Sequence, residues 1–265
     1  MDISEIKDRI NRLKQNSLEI ITNTHMGFLD SLSGKCNLYE NEGAIIITYN
    51  DCDIQRLYFY FCALEYLKGL LYDIPSGDYI MEKTERLGFE LNIDLCDVGF
   101  REIKRLYRYT NNRIGDLLES DAPVLDYRKA VPKEIFDGSY LDKINRLLRK
   151  TFDPQISHLP DDILLSKQLE AREFLGVTEN SEIVTLLQRR IENKRFYINQ
   201  IINRGPKENI HAVLLDELFV FASNGGKIVY SWIEEDNIAS VRFHEKYGLK
   251  RDGTYVIVFS YHKAE

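Results

Sequence analysis

Apolar positions recur at helical spacing over residues 3–23. Ile6, Ile10, Leu13, Leu18 and Ile21 stand among Lys and Arg, which predicts one amphipathic helix packed on the protein itself. After Gly34 the period drops to two. Cys36–Tyr39 and Ala44–Tyr49 read as a hairpin around Asn41-Glu42-Gly43, and Leu57–Phe61 as a further aromatic strand. Leu64–Leu71 reads as a helix, Asp78–Glu82 as a short strand, and Phe100–Tyr109 as an edge-like strand rich in Arg and Lys. Asn111-Asn112 and Asp121-Ala-Pro123 mark a seam between an N-terminal α/β domain, 1–120, and a C-terminal domain, 121–265.

The second half opens with two helices, Ser139–Lys150 and Asp161–Leu169, broken by Asp153-Pro154 and Leu159-Pro160. Three strands follow, Glu173–Thr178, Ile183–Ile191 and Phe196–Ile202, joined by hairpin turns at Asn180-Ser181 and Asn193-Lys194. A helix from Asn209 to Asn224 ends at Gly225-Gly226, and a strand, Lys227–Ile233, comes next. Asn237 caps another helix, in which Ile238, Val241, Phe243 and Tyr247 share an apolar stripe and Gly248 supplies the left-handed stop. Thr254–Tyr261 is the last strand. The fold class is therefore α/β with a mixed, α+β-type sheet: a β-meander joined to a right-handed βαβ unit. Its ligand crevice should lie at the carboxyl ends of the strands.

Composition narrows the function. A net charge of −7 and a pI near 5.4 argue against nucleic acid as the partner, despite Arg101, Lys104, Arg105 and Arg108 on one strand. The 4 cysteines lie at 36, 52, 62 and 96 without a Cys-x-x-Cys pair, so reduced structural thiols are expected and no metal site. The charged N-terminus lacks an apolar leader, and no run reaches the roughly 20 apolar residues of a membrane span. A soluble cytoplasmic protein with no membrane partner is the expectation.

The stretch Asn237-Ile-Ala-Ser-Val-Arg-Phe-His-Glu-Lys-Tyr-Gly-Leu249, preceded by the helix His211-Ala-Val-Leu-Leu-Asp-Glu-Leu-Phe-Val-Phe-Ala-Ser-Asn-Gly-Gly226, resembles the GNAT acyl-CoA N-acyltransferases over about residues 138–261. That family has an Asn, an aromatic-Tyr pair and a closing Gly-Phe where Asn237, Phe243-His244 and Gly248-Leu249 stand here. The resemblance implies a GNAT-like fold and an acetyl-CoA or other acyl-CoA co-substrate. It also implies direct attack on the thioester by a small-molecule or protein amine. Cofactor contacts would come from Lys207, Asn209, Ile210, His211 and Ala212 at one helix start, and from Asn237 and Ser240 at the next. The oxyanion contact would come from Ile201 and Ile202 at a bulge in the preceding strand. His244 would stand in for the Tyr that protonates the leaving group, and histidine can donate near neutral pH. Glu173 and Glu192 are candidates for the base, or else surface ion-pair partners.

The family's small-residue phosphate loop is altered, since Pro206-Lys-Glu-Asn-Ile-His211 puts Asn209 and His211 where two small residues are usual. Backbone N–H groups must approach a pyrophosphate closely there, and an imidazole would project toward it or pair with it beside Lys207 and Arg204. The first half echoes the same pattern at Ile80-Met81-Glu82-Lys83 and Gly99-Phe100. A degenerate GNAT-like half and an unrelated α/β cap both satisfy that echo. Two functions follow: an N-acyltransferase, or a catalytically silent GNAT-like protein that binds a partner or small ligand.

Overall fold

The computed structural model describes residues 3–24, 26–29, 36–88, 94–114 and 133–264. They form two units, 1–106 with 154–158 and 254–265, and 107–153 with 159–253. The boundary expected at residues 120/121 lies outside the described residues. Among those described, no helix is long and apolar enough to cross a membrane.

The first unit begins with α1 (Ile3–Gln15), β1 (Ile21–Thr22), α2 (Met26–Leu29), β2 (Cys36–Glu40), β3 (Ala44–Asp51) and β4 (Ile54–Phe61). It continues with α3 (Leu64–Leu71) and β5 (Gly77–Arg86). The helix expected over 3–23 therefore stops at Gln15. Asn16-Ser17 compete with helical hydrogen bonds through their own side chains, and β-branched Ile21 and Thr22 pair with β4 instead. The β2–β3 hairpin forms as expected, Glu40 opposite Ile45. The last strand of the chain, β12 (Lys250–Lys263), completes this sheet from residue 254 onward by running antiparallel to β5, Tyr255 opposite Glu85 and Tyr261 opposite Tyr79.

β4 and β5 are parallel for two rows only, Gln55↔Tyr79 and Arg56↔Ile80. Past that point β5 leaves, and the freed edge of β4 is taken by β1, with Ile21 opposite Phe61 and Thr22 opposite Tyr60. The Asn23 side chain closes the remaining rows, donating to Leu57 O at 3.0 Å and accepting from Phe59 N at 2.8 Å. Buried backbone groups must find partners, and here the chain supplies them itself.

The second unit contains the end of β6 (Arg101–Asn111), then β7 (Glu134–Ile135), α4 (Leu141–Thr151) and α5 (Asp162–Glu170). The meander β8 (Phe174–Glu179), β9 (Glu182–Glu192) and β10 (Arg195–Asn203) follows. Then come α6 (Lys207–Ser223), β11 (Ile228–Glu234) and α7 (Ile238–Glu245). Strands run in the order β7-β8-β9-β10-β11, antiparallel except for the parallel β10–β11 pair. Period-two alternation sends Leu187 to one face, beneath Val213, Leu214, Leu218 and Phe221 of α6, and Leu186 to the other, beneath α4 and α5. Gly225, at φ +78, ends α6 in the left-handed region expected of that Gly pair.

A buried polar cluster in the first unit holds the segment 154–158. Arg56, 2% exposed, donates to Gln155 O at 2.9 Å and Pro154 O at 3.0 Å, and stands 3.2 Å from Asp51. His158 lies 2.9 Å from both Asp51 Oδ2 and Glu82 Oε1. Burial opposes the imidazolium, but the two carboxylates outweigh it and raise the His158 pKa from 6.5 to about 9. The same contacts overcome burial at Asp51 and Glu82 and hold both carboxyls below their usual range.

A raised folded pKa stabilises fully below the unfolded value and is lost as pH rises through the folded one. His158→Ala should therefore cost about 1 kcal/mol at pH 6, a figure reduced for a half-exposed ring, and the difference from wild type should fade by pH 9.5 in urea unfolding. Leu214→Ala, at a fully buried position in α6, should cost about 2–5 kcal/mol at any pH in the same assay.

Candidate functional site

In the second unit the parallel register between β10 and β11 runs from Arg195↔Ile228 to Tyr197↔Tyr230 and then ends. Ser231 Oγ donates to Ile198 O at 2.9 Å just past the parting. Beyond it, residues 198–203 of β10 keep β9 on one side, and among the described residues no other strand takes the freed edge. The first unit fills the equivalent gap with β1; in the second, no described strand does.

A bulge does interrupt β10, but its place differs from the expectation. The register shift against β9 falls between Ile198 and Gln200, so Asn199 is the extra residue. Ile201 and Ile202 pair in regular register with Leu187 and Leu186, and their side chains go to opposite cores.

The turn into α6 is braced from below. Asn203 Nδ2 donates to Gly205 O at 3.2 Å and Pro206 O at 3.1 Å, while Thr185 Oγ1 donates to Asn203 Oδ1 at 2.7 Å. α6 starts at Lys207 behind Pro206, and no side chain caps it. The first-turn N–H groups, which a helix cannot satisfy internally, are thus left to backbone or ligand. Asn209 and His211, each 6% exposed, are buried, as are Ile210 and Ala212. The imidazole that the sequence would aim at a diphosphate instead meets Tyr247, His211 Nδ1 lying 2.5 Å from Tyr247 Oη. Burial, then the positive charges of Lys246 and Lys207, lower the His211 pKa, so the neutral ring does not serve as a cation beside Lys207. Arg204, Lys207 and Glu208 remain on the surface of the turn.

α7 is capped as the sequence predicts: Asn237 Oδ1 accepts from Ser240 N at 3.0 Å, and Gly248 follows at φ +68. The expected apolar stripe is only partly present. Ile238 is exposed, whereas His244, at 3% exposure, is buried. Phe243 joins the two helices, its ring centroid 5.1 Å from His211, 5.3 Å from His244 and 5.3 Å from Tyr247. His244 Nδ1 lies 2.8 Å from Ser240 O, and because a carbonyl only accepts, Nδ1 carries the proton. Nε2 is buried without a partner among the described residues. Burial lowers the His244 pKa to about 4 against the weaker effect of the Ser240 bond. About one ring in a thousand is protonated at pH 7. The histidine expected to donate near neutrality is an acceptor there.

Tyr247, read from sequence as a stripe residue, is the partner sequence reasoning missed. Only its spacing from Phe243 placed it on the same helix face.

A β-meander feeding a short parallel pair that parts, with an uncapped helix turn at the parting, is the GNAT-type acetyltransferase fold. The first unit repeats its β2-β3-β4-α3-β5 core, as in tandem members. No family model matches the sequence, and no curated protein does. Among solved structures, the chain is similar to a GCN5-related N-acetyltransferase from Sphaerobacter thermophilus, at 12% identity and TM-score 0.57 over 89% of this chain and 84% of that one. It is similar to a tandem GNAT protein from the clavulanic acid biosynthesis pathway, studied without AcCoA, at 10% identity and TM-score 0.53 over 84% and 80%. It is also similar to a Drosophila protein at 11% identity and TM-score 0.54 over 99% and 97%. Likeness at these identities establishes the fold.

Two measurements check the site. Nitrogen-detected NMR should show His244 as the Nδ1–H tautomer, titrating near pH 4 and not near 6.5. Tyr247→Phe, which leaves the buried His211 Nδ1 without its hydroxyl, should cost about 1–3 kcal/mol in urea unfolding.

Proposed function

We propose that the chain is an acyl-CoA-dependent N-acyltransferase, acetyl-CoA being the simplest donor, with its one cofactor site in the second unit. The observation that carries this reading is the open edge of β10 beside an uncapped α6, set against the same gap filled by β1 and Asn23 in the first unit. Acyl-CoA, when bound, supplies an activated acyl carbon. The residues at the turn suit its diphosphate. The first-turn N–H groups and the N-terminal end of the α6 dipole favour an anion. Lys207 and Arg204 add positive charge, opposed by Glu208, and the His211 ring is taken up by Tyr247. Asn237 caps α7, and Ser240 O holds His244 Nδ1, leaving Nε2 as the ring's other nitrogen inside the protein. The acceptor is an amine, of a small molecule or a protein.

His244 bears on proton handling. With its Nδ1–H committed to Ser240, any proton it receives goes to Nε2, and at pH 7 it has none there to give. That favours a second reading, a silent protein of this fold that binds its ligand without turnover.

Calorimetry with acetyl-CoA and CoA should show one site per chain, and Lys207→Glu should weaken it about tenfold, roughly 1.4 kcal/mol. No binding at several hundred micromolar would refute the acyltransferase reading. If binding is present, His244→Phe should leave CoA affinity within about threefold and lower turnover about tenfold or more. An unchanged rate removes His244 from catalysis, and no turnover with any amine leaves the silent reading.

A further inference from the structure

The face of the second sheet opposite α6 changes character along its length. Cross-strand partners share a face, so the pairs Leu186↔Ile202, Gln188↔Gln200, and Arg190↔Tyr197 with Tyr197↔Tyr230 form successive rows on it. Leu186 and Ile202, with Phe174, lie in the core under α4 and α5. The next row is polar although it is buried, with Gln188 at 1% and Gln200 at 5% exposure. The bulge residue Asn199 ties it together: Nδ2 donates to Gln188 Oε1 at 2.9 Å, and Oδ1 accepts from Tyr197 Oη at 2.9 Å. The Gln188 side chain also bonds the carboxylate of Glu173. Beyond lies the Tyr197–Tyr230 stack, centroids 4.8 Å apart and 11° from parallel, half-buried.

Two atoms in this layer lack partners among the described residues, Gln200 Oε1 and Glu173 Oε2. A buried acceptor left alone is destabilising, the more so when charged. Arg190 does not resolve it, since its Nε stays 3.9 Å from the other carboxylate oxygen, Glu173 Oε1, beyond hydrogen-bond length. Burial outweighs Arg190, Gln188 and Arg189 and raises the Glu173 pKa, with Glu192 acting in the same sense as burial. Glu173 keeps a 3.9 Å ion pair with half-exposed Arg190 while its own side chain is 13% exposed. Both orphan atoms are acceptors, one of them a carboxylate oxygen, and the neighbouring surface is the tyrosine stack, where Arg190 Cζ already lies 5.9 Å from the Tyr197 ring centroid. An ammonium group complements all three: it has three N–H donors, a positive charge, and an attraction to aromatic faces. An anion or an apolar group would complement none. With 13% of its side chain exposed, Glu173 gives the layer access to solvent, and Gln188 and Gln200 form its floor.

We propose that Glu173 and Gln200, backed by Asn199 and walled by Tyr197 and Tyr230, bind the ammonium end of a small organic amine. Identifying that amine as the acyl acceptor rests on the acyltransferase reading; the binding itself does not. Glu173 supplies the counter-charge, Gln200 a second acceptor, and the tyrosine stack selects amines that carry an aromatic or flat apolar body.

The test is calorimetry on the full chain without CoA, using phenethylamine and its neutral analogue 2-phenylethanol as probes. The amine should bind and the alcohol should bind at least about tenfold more weakly. Glu173→Gln, nearly isosteric, should weaken the amine about tenfold or more while CoA affinity and the melting temperature hold. Tyr230→Leu should weaken it about three- to tenfold, and serves if Glu173→Gln does not fold. Equal binding of the two probes, equal binding by wild type and Glu173→Gln, or no amine binding up to about 10 mM overturns the site; so does a high-resolution structure with only water on both orphan oxygens at that concentration. CoA binding without amine binding defeats this inference alone. Amine binding without CoA binding defeats the acyltransferase reading alone.

Discussion

Two parallel strands that part within a few rows leave backbone donors and acceptors facing one another across a gap, and such groups cannot stay both buried and unpaired. The chain meets this condition twice and answers it differently. Between β4 and β5 it inserts β1 and the Asn23 amide, so the opening is closed by its own residues. Between β10 and β11 it supplies one side-chain bond, Ser231 to Ile198 O, and leaves the rest of the edge. An extended ligand carrying its own amides and carbonyls is what such an edge can pair with. The proposed cofactor site in the second unit rests on this asymmetry.

The turn into α6 follows the same economy. Thr185 and Asn203 hold the loop from beneath, Pro206 enters the helix without a capping side chain, and the two large residues that replace small ones are buried. His211 then becomes part of a ring cluster with Phe243 and Tyr247, which fixes α7 against the start of α6 and carries His244 with it. The Tyr247 hydroxyl pairs the imidazole that lost solvent, and Lys246 and Lys207 keep it neutral. Bulk in the phosphate turn is thus absorbed by packing.

Much of the fold was legible in the sequence because its signals were local. The Asn237 cap, the Gly225 and Gly248 stops, the β2–β3 hairpin and the three-strand meander each depend on turn chemistry or period, and all are present. Length misled where tertiary pairing overrode a helical spacing, as at Ile21 and Thr22, whose better partners lie in β4, distant in sequence. The site was less legible. Which way Asn209 and His211 face depends on Tyr247 and on burial, and neither is encoded by spacing. The protonation of His244 follows from its 3% exposure, and the bulge at Asn199 from register, both properties of the assembled sheet. The orphan acceptors of Glu173 and Gln200 are visible only once every neighbouring donor has been placed.

The central claim is that β10 offers an edge to a ligand and β4 does not. Hydrogen–deuterium exchange of the backbone amides, with and without CoA, tests it most directly. The account predicts that CoA slows exchange across residues 198–203 and in the first turn of α6, while amides of residues 57–61 in β4 are unchanged. Equal protection of the two strands, or none at 198–203 under saturating CoA, would contradict it.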